Sequence, residues 1–161
     1  MPKLPEELVN LLKDYESVKV VATLNQDGSP HSVAKGSLTT LDGETIAFNE
    51  GLDTYQSNKN LVRSIWFNKP IAINVTKGPI SYQIKGKPYK CLITGVIFKQ
   101  FLLKARERRG PDADIAAVWI IAPEEVRNES PAIRRNVDEE KRPYFNRHLD
   151  RESIVNREEV A

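Results

Sequence analysis

Two Asp-Gly pairs set between β-branched runs constrain this chain more than any other feature. Val18 to Leu24 is rich in valine, and it is followed by Asn25-Gln26-Asp27-Gly28-Ser29-Pro30. Glycine after aspartate supplies the positive φ of a tight hairpin, so the chain should turn straight back. His31 to Leu41 is then the returning strand, Asp42-Gly43 the next turn, and Thr45 to Asn49 the third strand. Local chemistry predicts an antiparallel meander of three neighbours.

The flanking segments continue the pattern. Leu8, Leu11, Leu12 and Tyr15 recur at helical spacing, and Pro5 with Glu6-Glu7 suits a first turn, which predicts an amphipathic helix over Pro5 to Glu16. Asp53 is a candidate N-cap with Gln56 three residues on; the helix it opens should turn Leu61, Val62, Ile65 and Trp66 inward and end before Pro70. Ile71–Thr76 and Ile80–Ile84 read as strands parted by Gly78-Pro79, with Tyr89–Thr94 a further extension. Phe98, Phe101, Leu102 and Ala105 favour a helix stopping at Gly110-Pro111, and Ile115–Ala122 is short and apolar enough for a fully buried strand. The expected fold class is mainly β with peripheral helices, a small barrel of six or seven mostly antiparallel strands.

Several function classes find no support. The chain shows no nucleophile elbow, phosphate-binding Walker loop, paired metal-ligand spacing or dinucleotide glycine fingerprint. His31 and His148 are the only histidines, and His31 after a hairpin turn reads as a surface residue. Cys91, the single cysteine, lies beside Leu92 and Ile93 and reads as a small buried strand residue. Trp66 and Trp119 sit in apolar patterns and read as core or interface. Lys and Arg total 24 against 22 Asp and Glu, a net charge of +2, which does not suit a dedicated nucleic-acid binder. The basic stretch Lys99–Arg109 reads as a solvated helix face. No signal-peptide pattern or membrane-length apolar run occurs, so the expectation is a cytoplasmic protein without a membrane partner.

The order of motifs resembles the FMN-binding split barrel of the pyridoxamine 5'-phosphate oxidase-like superfamily. The matching residues are Asp27-Gly28-Ser29-Pro30, Leu41-Asp42-Gly43, Gln56-Ser57-Asn58-Lys59-Asn60-Leu61, Lys69-Pro70-Ile71-Ala72-Ile73-Asn74-Val75 and Tyr82-Gln83-Ile84-Lys85-Gly86-Lys87-Pro88. The resemblance covers roughly Leu4 to Ser130. It implies a homodimer with a flavin groove between two chains, an oxidoreductase or redox-carrier activity on an unspecified small molecule, and FMN as cofactor. Carried over residue by residue, it places the flavin ring against Val33, Ala34, Lys35, Gly36 and Ser37, and the phosphate among Asn49, Glu50, Gly51, Gln56 and Ser57. Gln56-Ser57 stands where many members carry Lys-Thr, which removes a cation from the phosphate position. A split barrel holding a deazaflavin or haem, and a cofactor-free dimeric interaction module, are the alternatives.

The domain is expected over residues 1–130, with 131–161 as a charged C-terminal extension. From Arg127 onward eight Lys or Arg balance eight Asp or Glu, and few large apolar groups remain. Such a segment cannot build a core of its own. Ile133, Val137, Tyr144, Phe145, Leu149, Ile154 and Val155 are its only anchors.

Overall fold

The computed structural model describes residues 1–142. Its strands β1 (Val18–Leu24), β2 (Pro30–Ala34), β3 (Ile46–Glu50), β4 (Ile71–Lys77), β5 (Ile80–Leu92) and β6 (Ala117–Asn128) form one antiparallel sheet in the order β2-β1-β4-β5-β6-β3. Around the curled sheet lie helices α1 (Glu6–Lys13), α2 (Gln56–Phe67), α3 (Val96–Arg109) and α4 (Pro131–Lys141). A mainly β barrel with peripheral helices is therefore the observed class. The expected anchors Tyr144, Phe145, Leu149, Ile154 and Val155, with His148, lie outside the described residues.

The first hairpin forms as its chemistry requires. Gly28 has φ 84°, Asp27 accepts the Ser29 amide at 2.9 Å, and β1 pairs β2 from Leu24↔Pro30 to Val20↔Ala34. The expected three-strand meander does not follow. β2 ends at Ala34, where Leu38 N–H closes a turn on the Lys35 carbonyl at 3.2 Å, and the chain then crosses to β3. Thr39 and Ala47 exchange two 2.8 Å backbone bonds, while β3 takes β6 as its strand partner. Continuous β propensity from His31 to Leu41 hid a break at Lys35-Gly36-Ser37. That break bridges the two edges of the sheet.

β3 and the first half of β6 are buried on both faces. Phe48, Trp119 and Ile121 enter the main core with Leu8, Leu12, Val21 and Ile73, whereas Ala47, Val118 and Ile120 pack with Phe101 and Ala105 of α3. Period-two alternation between two apolar clusters explains why residues 115–122 read as an unbroken apolar run. Each fully buried Leu or Phe here stabilises the fold by about 1.5–3 kcal/mol. The two expected pieces Ile80–Ile84 and Tyr89–Thr94 are one strand, β5, with register shifts after Lys85 and Pro88. Leu92 packs on the α3 cluster, so Cys91 faces the opposite way; it is exposed rather than buried.

Two helices depart from expectation. α1 stops at Lys13 because Asp14 is extended, which leaves Tyr15 off the apolar stripe and exposed. α2 has Tyr55, not Asp53, at its N-cap, and no side chain caps it. It buries Ser57, Asn60, Leu61 and Ser64, while Val62, Ile65 and Trp66 are exposed. The inward face is polar because it meets polar strand ends: Asn60 donates to Thr23 Oγ1 at 3.0 Å and to Asn25 Oδ1 at 2.9 Å. Trp119 is core, 1% exposed, and its indole N–H donates to Asn58 at 2.8 Å. α3 ends where expected, at Gly110 with φ 108°.

Candidate functional site

The chain's break between β2 and β3 forms one wall of a groove of about 590 Å³; the end of α1 and one face of α3 form the other. That size lies within the usual range for small-molecule sites. Of the residues expected to bind cofactor, Ala34, Lys35, Gly36, Ser37, Asn49 and Gly51 line it. Val33, Glu50, Gln56 and Ser57 do not. Val33 is half-buried in β2, opposite Val21.

The wall is organised from β3. Ser37 Oγ accepts the Asn49 amide at 3.0 Å, and Lys35 N–H donates to the Lys19 carbonyl at 2.9 Å. The main-chain N–H groups of Gly36 and Ser37 find no partner among the described residues. Nothing lies within 4 Å of a Cβ built on Gly36, so the backbone there borders open space.

Lys35 and Glu50 form a buried pair, Nζ to Oε2 2.6 Å, and Ser57 donates to the other carboxylate oxygen at 2.9 Å. The ammonium also lies 5.3 Å from the centre of the Tyr55 ring, a cation–π distance. The pair leaves Lys35 neutralised from within, and commits the Ser57 hydroxyl. Gln56 is likewise engaged, donating to Asn60 Oδ1 at 2.9 Å. What α2 still offers an anion is its uncapped N-terminus, whose first amides lack intrahelical partners.

Sequence reasoning missed much of the remaining lining. Tyr55, Lys19, Phe101, Lys104, Ala105 and Arg108 all border the groove. Lys19 carried a legible signal: in β1 it alternates onto the inward face with Val21 and Thr23, where a charge is out of place. It is 4% exposed, and its ammonium donates to the Leu12 carbonyl at 2.7 Å, satisfying the open end of α1. Burial, and then the nearby Arg108 charge, hold its pKa below the ordinary lysine value. The basic stretch on α3 is exposed as expected, yet Lys104 and Arg108 also face this groove, one helical turn apart.

No family model matches the sequence, and no curated protein does. Solved structures do. A Lactobacillus delbrueckii protein provisionally assigned as a pyridoxamine 5'-phosphate oxidase is 25% identical, with TM-score 0.60 over 78% of this chain and 93% of its own. An F420 reductase is 21% identical, with TM-score 0.59 over 77% and 98%. An FMN-binding protein from Syntrophomonas wolfei is 10% identical, with TM-score 0.62 over 77% and 87%. With its six antiparallel strands and crossing segment, the chain has the split-barrel fold of the pyridoxamine 5'-phosphate oxidase-like proteins.

Proposed function

We propose that the protein is a homodimeric FMN-binding flavoprotein acting as an oxidoreductase or redox carrier. The observation that carries this reading is the groove wall at Lys35-Gly36-Ser37: open backbone, two unpartnered N–H donors, and no side chain at its centre. A flat heteroaromatic ring with carbonyl and ring-nitrogen acceptors suits such a wall. Tyr55 and Phe101 supply apolar surface around it. Bound there, the cofactor would supply hydride or electron transfer, while the chain positions the ring and limits water. The Lys35–Glu50 pair fixes the wall by tying β3 to the residue that follows β2.

The resemblance of the FMN-type motifs favours FMN, and the similarity to an F420 reductase makes a deazaflavin the specific rival. The visible spectrum of the purified protein separates them, because the two chromophores absorb differently. FMN titration of the wild type and Gly36→Val then tests the ring position. Nothing lies within 4 Å of a Cβ added at Gly36, so far-ultraviolet circular dichroism should be unchanged while FMN uptake is lost. Undiminished uptake by the variant would place the ring elsewhere.

A further inference from the structure

The groove is electrically one-sided. Among its lining residues are Lys13, Lys19, Lys35, Lys104, Arg108 and Arg109, and no aspartate or glutamate. Lys35 is answered by Glu50 behind the wall. At the other end, Lys13, Lys19, Lys104 and Arg108 make no ion pair among the described residues. Asp14, the acid whose charge acts on Lys19, is engaged 2.5 Å from Lys77. Glu107, the acid on α3, lies off the groove lining.

We propose that this α1–α3 end is an anion subsite, in which Lys19, Lys104 and Arg108 hold a phosphate or carboxylate group of a bound ligand. Lys19 is the built part of it. Its ammonium has three N–H donors, and one is used, by the Leu12 carbonyl. A buried ammonium with spare donors, beside the Arg108 charge, costs stability that an incoming anion restores. Arg108 is preset rather than free: its guanidinium stacks 3.9 Å from the centre of the Tyr15 ring, which holds a planar fork that matches phosphate or carboxylate geometry. Lys104 adds a flexible third cation one turn away on α3.

The anion has two sources to distinguish: the phosphate of the flavin, or a charged group on a second ligand bound beside it. The proposal goes beyond the flavin reading but does not require it. Calorimetric titration with inorganic pyrophosphate tests it on protein as purified and after FMN loading. The wild type should bind pyrophosphate at low salt and weaken as salt is added. Lys104→Ala/Arg108→Ala, both exposed positions, should bind at least about tenfold more weakly, as loss of charged hydrogen bonds implies. Lys99→Ala/Arg106→Ala makes the same charge change on α3 away from the groove lining and should bind like the wild type.

The two sources separate cleanly. If FMN displaces pyrophosphate, and the first variant loses affinity for FMN but not for riboflavin, the anion is the cofactor's own. If the FMN-loaded protein still binds pyrophosphate, and the variant keeps its FMN affinity, the subsite serves a second, anionic ligand. Absence of pyrophosphate binding in the wild type, or equal losses in the two double variants, overturns the proposal. Pyrophosphate binding by a protein that takes up no FMN would instead remove the flavin reading and leave the subsite standing.

Discussion

Glu50 has no accessible surface, and its carboxylate is shared between Lys35 and Ser57. Removing one partner of such a buried pair leaves the other charge unsolvated, which typically costs about 3–5 kcal/mol, whereas replacing both with apolar groups is often near neutral. Glu50→Ala should therefore lower stability in urea by about that amount, and Lys35→Met/Glu50→Leu by clearly less. Equal losses in the two proteins would mean that packing, not charge pairing, holds this corner. Lys19 obeys a different logic. Its lowered folded pKa means that the unfolded chain binds the proton more tightly, so stability should rise with pH between that lowered value and the ordinary 10.5. Urea midpoints measured across this alkaline window should climb less in Lys19→Met than in the wild type. Identical slopes would show that Lys19 does not titrate differently in the two states.

β5 shows how a single position governs an element. A Cβ on Gly86 would lie 2.5 Å from the backbone oxygen of Ala122 on β6, beside the register shift at Lys85/Gly86. The opposing atom is main chain and cannot swing aside, so the paired strands themselves would have to part. Gly86→Ala should destabilise the fold by about 1–3 kcal/mol in thermal unfolding, the usual cost of overpacking. Gly36→Ala is the internal comparison, since nothing lies within 4 Å of its added methyl group. A similar melting temperature in the two variants would show that the sheet absorbs the contact at Gly86.

At the scale of the whole molecule, the groove has the crossing segment on one side and α1 and α3 on the other, and α2 carries exposed Val62, Ile65, Trp66 and Phe67 along its outer face. Trp66 and Phe67 are 77% and 65% exposed, and adjoining exposed apolar groups of this kind mark interaction surfaces. This exposure supports the proposed C2 dimer, in which the same surface of each copy is covered at once. Equilibrium sedimentation at micromolar concentration should report twice the chain mass, and a Trp66→Ser variant should shift the distribution toward monomer. A monomeric wild type would remove the proposed dimer. Among the described residues no helix is long and apolar enough to cross a membrane.

The amino-acid order alone determined what depends on neighbours in the chain. The β1–β2 hairpin follows from Asp27-Gly28, α1 from its leucine spacing, the end of α3 from Gly110, and the burial of β6 from its apolar run. Tertiary structure decided what depends on who meets whom. Strand propensity carries no partner information, so nothing local said that β3 would leave β2 and pair with β6. Helical periodicity in α2 likewise marked an apolar stripe without saying which side would meet the barrel, and hydrogen bonds from Ser57 and Asn60 turned the polar side inward. Half of the candidate site was legible because residues 34–37, 49 and 51 lie close together in a recognisable order of motifs. Of the cationic half only the inward register of Lys19 was legible: Lys19, Lys104 and Arg108 come from elements some 85 residues apart, and only folding β1 and α3 around the same groove gathers their charges.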